Sequence, residues 1–117
     1  MSIKEDSKIE FIEGDEGAKI KQYFHPHNTL NGINYSIAQV VLEVGGKTKL
    51  HRIKSSEIYY ILEGEGKLKI DDQMFDLIIN DSAYVPPNSK QFIENSGSVK
   101  LRFLCICLLY TSPSPRD

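Results

Sequence analysis

Short runs of β-branched and aromatic residues, each broken by Gly, Asn, Asp or Pro, recur along most of this chain, and apolar and polar positions alternate within them. A period of two puts successive side chains on opposite faces of an extended backbone, so the pattern predicts half-buried β-strands and almost no helix. Ile33 to Val44 is the first long candidate, ending at the Gly45-Gly46 turn, and Thr48 to Ile53 is the next. Glu57 to Leu62 follows, with Glu57, Tyr59 and Ile61 on one face. Gly64-Glu65-Gly66 turns the chain into Lys67 to Ile70, which reads as a hairpin through Asp71-Asp72 with Met74 to Ile79. Asn80-Asp81 turns it again into Ser82 to Val85, and Pro86-Pro87 stops that strand. Gln91 to Asn95 then leads through Ser96-Gly97 into Val99 to Cys107. Ile9 to Tyr23 also alternates, and is expected to add an edge strand or to pair with a second subunit. Many short strands with regular turns predict an all-β, antiparallel sandwich or barrel.

Length allows one such domain: 117 residues with 40% hydrophobic content build one modest core and leave no room for a second. The expected organisation is an N-terminal segment over 1–32, a barrel over 33–107 and a tail over 108–117. The tail, Leu108 to Asp117, ends in Thr-Ser-Pro-Ser-Pro-Arg-Asp, does not continue the strand pattern and is similar to translated adapter sequence; it is read as non-native. With 14 basic and 16 acidic residues scattered along the chain and a net charge of −2, there is no electrostatic footprint for nucleic acid or an anionic membrane. No apolar run approaches about 20 residues and Met1 to Glu10 is polar, which argues against a membrane helix and a secretory signal and makes the cytoplasm the expected compartment. Cys105 and Cys107 stand two apart on one face of an extended strand, a poor arrangement for a mutual disulfide, and are expected as reduced, buried thiols.

One spacing inside the strand pattern carries chemistry. Gly45, then His51 six positions on, Glu57 six beyond and Gly64 seven further resembles the first motif of the cupin superfamily, with Ile53 standing where that family places a second His. Asn80 to Asn95 is similar to the second motif: Pro86 and Asn95 match, Asn80 and Asn88 occupy its two Gly positions, and Gln91 replaces its His. Asn is the usual substitute for Gly where φ is positive, so both exchanges keep the backbone reading. The resemblance covers roughly Ile33 to Cys105 and implies an antiparallel double-stranded β-helix, a jelly-roll barrel, with a metal site inside.

Carried over residue by residue, the resemblance implies a divalent transition metal on His51, Glu57 and, through its amide oxygen, Gln91, with Ile53 unable to coordinate. An imidazole, a carboxylate and an amide suit Mn, Fe, Ni, Co or Zn, and three ligands leave a position open for water or substrate. A buried carboxylate at Glu57 needs a metal, a cation such as Arg52 or Arg102, or hydrogen-bond donors. Tyr59 and Tyr84 are the candidate substrate contacts; with Tyr60 they also read as core and rim aromatics. His25 and His27, flanking Pro26, read as loop or edge residues, with His25 a candidate to fold over the mouth in place of the missing ligand. Two functions remain open: a metal-binding barrel acting on a small molecule such as a sugar or organic acid, and a metal-free barrel that binds or senses a small ligand. A covered sheet edge makes a homodimer the expected assembly.

Overall fold

The structure, a computed structural model, describes residues 3–14, 17–25 and 34–108. After a single 3-10 turn, Asp6–Lys8, the described chain is built from strands: β1 (Ile12–Glu13), β2 (Ala18–Phe24), β3 (Tyr35–Leu42), β4 (His51–Arg52), β5 (Ser56–Glu63), β6 (Gly66–Ile70), β7 (Gln73–Leu77), β8 (Ser82–Val85), β9 (Lys90–Asn95) and β10 (Leu101–Leu108). They form a six-stranded sheet in the order β1-β2-β3-β10-β5-β8 and a four-stranded sheet in the order β4-β9-β6-β7, and every pairing is antiparallel. The architecture is the expected jelly roll, but the ladders do not run from one sheet into the other, so it is an open sandwich and not a closed barrel. One reason lies at β8: Pro86 and Pro87 end it after Val85 and supply no backbone N–H to extend an edge. No helix among the described residues is long and apolar enough to cross a membrane.

The predicted strands appear within a residue or two of their expected limits, with two differences. Thr48 to Ile53 shrinks to β4, two residues long, preceded by a single bridge between Lys47 and Glu94. Ile9 to Tyr23 is a small hairpin and not one strand, because Gly17 turns the backbone at φ 82° and the Gly14 N–H closes on the Ala18 carbonyl at 2.8 Å. Its longer arm, β2, runs alongside β3, from Ala18 opposite Leu42 to Phe24 opposite Ile37. The tail beyond Leu108 lies outside the described residues.

Alternation decides which side chains meet between the sheets. On β5, Glu57, Tyr59 and Ile61 are buried while Ile58 and Tyr60 face solvent. The core joins Leu42, Ile61, Leu101 and Phe103 of the large sheet to Leu68 and Ile93 of the small one, each at most 1% exposed. Along β5 and along β9 the inward positions change from apolar, at Ile61 and Ile93, to polar, at Glu57 and Gln91, so one part of the sandwich interior is a dry core and another a polar pocket.

The turns obey the backbone reading of the motifs. Gly45, Gly64, Asn80 and Asn88 all have positive φ, at 81°, 82°, 73° and 68°. Asn95 is 3% exposed and fully used: its Nδ2 donates to the carbonyls of Leu42 and Val99, and its Oδ1 accepts from the Gly97 N–H, which ties β9 to the ends of β3 and of the loop before β10. Gly64 is the tightest of the positive-φ sites, since a Cβ there would run into the Lys100 carbonyl oxygen. We therefore expect Gly64→Ala to destabilise the fold by about 2 kcal/mol or more, from backbone strain and the collision together, while Asn88→Gly stays within about 0.5 kcal/mol of the original. Urea denaturation of the two variants checks both; an unaltered midpoint for Gly64→Ala would contradict the loop geometry.

Candidate functional site

The polar part of the interior is assembled from both sheets. The small sheet contributes His51 and Gln91, which face each other in register on β4 and β9. From the large sheet, β5 contributes Glu57 and Tyr59, and β10 sets Cys107 opposite Glu57 and Cys105 opposite Tyr59. Glu57 is 4% exposed, Tyr59 3% and Gln91 0%.

Glu57 is the hub. Its Oε1 accepts a short hydrogen bond from the Gln91 amide Nε2, and its Oε2 accepts from both thiols, at 2.9 Å from Cys105 Sγ and 3.2 Å from Cys107 Sγ. His51 Nε2 stands 3.9 Å from Oε1, too far for a direct hydrogen bond. The other ring nitrogen, Nδ1, lies 2.7 Å from the Lys49 carbonyl. A carbonyl only accepts, so Nδ1 carries a proton and Nε2 is the nitrogen presented to the pocket. Tyr59 completes the network by donating to Gln91 Oε1 at 2.5 Å.

Charge follows from these contacts. Burial pushes the Glu57 carboxyl up, but the polar groups that face it, the His51 imidazole first and then Cys105, Cys107 and Gln91, more than offset that and hold it below its ordinary 4.5. Cys105 is pushed well above the ordinary thiol value by its contact with Cys107, by burial and by the charge on Glu57. Tyr59 is likewise raised, by burial first and then by negative charge at Cys105 and Glu57. The resting state is thus one carboxylate ringed by protonated donors, with both cysteines free thiols.

Beside this network lies a pocket of about 270 Å³, lined by Ala18, Ile20, Val40 and Phe103 on its apolar side and by Thr48, Lys49, His51, Glu57, Tyr59 and Cys105 on its polar side. Of the residues singled out from sequence, His51, Glu57, Gln91 and Tyr59 therefore come together. Tyr84 does not: it is 58% exposed, facing outward beside Ile58, because the inward position of β8 is its neighbour Val85. Arg102 does not meet Glu57 either; its guanidinium binds Glu63 at 2.6 Å and Gln39 at 2.8 Å on the outer face. His25 follows β2 directly and His27 lies outside the described residues.

Residues 38–107 match the family model of the Cupin domain. The chain belongs to the cupin family. This cupin is 40% identical over 102 residues to an uncharacterized protein of Methanocaldococcus jannaschii, a match that covers 86% of this chain and 81% of that protein. Among solved structures it is similar to an RmlC-like cupin from Shewanella frigidimarina, at a TM-score of 0.79 and 16% identity over 96% of this chain and 94% of the other. It is also similar to a predicted oxalate decarboxylase from Thermotoga maritima, at a TM-score of 0.77 and 25% identity over 93% of this chain and 100% of the other.

Of the metal set that the resemblance implies, His51, Glu57 and Gln91, the first two stand together and Gln91 is engaged elsewhere. Ile53 offers no donor atom, and the Gln91 amide oxygen is engaged by Tyr59 while its N–H points at Glu57. Gln91 acts here as a brace that fixes the carboxylate. The donors that do stand close are Glu57, Cys105 and Cys107, whose ligand atoms all lie within 4.8 Å of one another. The cysteines are the residues that sequence reasoning left out of the site. Their shared face was visible in the spacing, but their position opposite Glu57 was not.

The depressed Glu57 pKa has a definite sign. A carboxylate held below its unfolded value contributes stability that is fully present above about pH 5 and is lost as pH falls through 4.5 towards the folded value. In chelator-treated protein we expect Glu57→Gln to lose less melting temperature than the original between about pH 5 and pH 3. Thermal unfolding followed by circular dichroism over that range checks it. Parallel curves for the two proteins would show that the donors around Glu57 do not favour its charged form.

Proposed function

We propose that this cupin binds a small organic acid in the inter-sheet pocket, with a divalent transition metal at Glu57 and His51 as the polar anchor. The carrying observation is the composition of the pocket: apolar walls at Ile20, Val40 and Phe103 meet a polar end lined by His51, Glu57 and Lys49. A space of about 270 Å³ equals the share of roughly nine waters and takes only a small molecule. An apolar body with one carboxylate suits such a lining better than a sugar, whose hydroxyls would leave several donors and acceptors unpaired against the apolar side. The metal adds to this reading what a neutral wall cannot: a positive charge for the ligand's carboxylate beside a protein carboxylate that would otherwise repel it.

One observation favours a metal-free barrel as the second reading. The Glu57 carboxylate is satisfied by Gln91, Cys105 and Cys107, and among the described residues no buried side-chain nitrogen or oxygen lacks a hydrogen-bond partner. Thermal-shift titration with short branched organic acids and with monosaccharides, each with and without Zn, Mn or Ni, separates the readings. At a hundredfold excess over Kd an organic acid should add about 2.7 kcal/mol, a rise on the order of ten degrees in melting temperature, and only when metal is present. Equal shifts without metal support the metal-free barrel; shifts with sugars alone, or none with any compound, would remove the organic-acid proposal. Lys49→Ala should weaken the acid and leave the metal in place.

A further inference from the structure

We propose that the metal held in this pocket is thiophilic, zinc above all, and that its protein ligands are the Glu57 carboxylate and the thiolates of Cys105 and Cys107, with the fourth position open on the pocket side. The proposal rests on the metal half of the preceding reading and changes its chemistry, because sulfur replaces the imidazoles that the motif has lost at Ile53 and Gln91.

The spacing of the donor atoms carries it. Two thiolates bound to one tetrahedral zinc at about 2.3 Å stand about 3.8 Å apart; Cys105 Sγ and Cys107 Sγ are 3.9 Å apart. Glu57 Oε2 reaches both sulfurs, at 2.9 Å and 3.2 Å, and belongs to the same compact cluster. These contacts are shorter than the roughly 3.6 Å between a sulfur and an oxygen ligand on one zinc, as hydrogen bonds to thiol protons should be. Replacing those protons by an ion requires the carboxylate to move out by roughly half an ångström. Each thiol passes its proton to solvent as it coordinates, and the two thiolates alone then neutralise the dication, so that with the Glu57 carboxylate the site keeps one negative charge.

The surroundings are those of a prepared site. Cys105, Cys107 and Glu57 come from β10 and β5, adjacent strands in the interior of the large sheet, so their backbone is held on both sides. The Gln91 amide braces the carboxylate, the kind of outer contact that orients a ligating group. Thiolate ligands select zinc and its heavier congener cadmium over manganese and magnesium, which prefer oxygen.

Cadmium titration of the reduced, chelator-stripped full chain is the test. The expected result is an ultraviolet thiolate-to-cadmium charge-transfer band that saturates at one equivalent, is displaced by zinc and is untouched by the same concentration of manganese. Cys105→Ser and Cys107→Ser keep a hydroxyl donor for Glu57, so circular dichroism should show them folded, and each should weaken zinc by more than about 100-fold, beyond what loss of an orienting partner costs. Displacement of the band by manganese would overturn the thiophilic assignment. Stoichiometric zinc binding without the band, with both serine variants within about threefold of the original, would overturn the thiolate ligands while leaving the metal at Glu57 and His51. Failure of every metal to bind would remove this proposal and the metal reading together.

Discussion

A carboxylate cannot remain ionised between two β-sheets unless donors surround it, and the interior of this protein is organised around meeting that demand at Glu57. Gln91 comes from the opposite sheet, Cys105 and Cys107 from the adjacent strand, and His51 from the short strand at the mouth. Because these groups come from four strands in two sheets, correct packing of the sandwich is what assembles the network. The brace extends one step further: Tyr59 donates to Gln91 and packs against Phe103 with ring centroids 5.3 Å apart, so the polar cluster is anchored in the apolar core.

A second polar system works on the outer face of the large sheet and is separate from the pocket. Lys21, 7% exposed, binds the Asp6 carboxylate at 3.0 Å; Tyr23 donates to the same carboxylate at 2.6 Å and accepts from Gln39 at 2.8 Å. Gln39 in turn accepts from Arg102, which binds Glu63. This chain of contacts fastens the N-terminal turn across β2, β3 and β10, and it explains why Arg102 is not available to Glu57. The sidedness of β10 decides the matter, since Arg102 and Phe103 point to opposite faces and only the latter enters the core.

The strand frame was legible in the sequence because each run of alternating residues is short and ends at a residue with a backbone reason to stop it. Asn80 and Asn88 show the same legibility at finer grain, adopting the positive φ that their place in the motif requires. His51, Glu57, Tyr59 and Gln91 could be brought together because their spacing follows a known frame. Period-two reasoning fails where its information ends: it tells which residues of a strand share a face, not which strands are neighbours. Cys105 and Cys107 were seen to share a face, yet only the pairing of β10 with β5 sets that face against Glu57. Tyr84 fails for a smaller reason, a phase of one residue, since Val85 and not Tyr84 is the inward position of a four-residue strand.

The position of β10 has a consequence for how the molecule is made. It is the last described strand in the sequence but lies in the middle of the large sheet, between β3 and β5, which have no hydrogen bonds to each other. On a growing chain, residues 35–42 and 56–63 must therefore wait for 101–108 before either gains its inner partner. The local hairpin of β6 and β7 can form early, but most of the sheet depends on contacts far apart in sequence, so strand edges stay unpaired while the chain is being synthesised. A nascent form of this protein is thus a natural client for whatever shields such edges until β10 arrives.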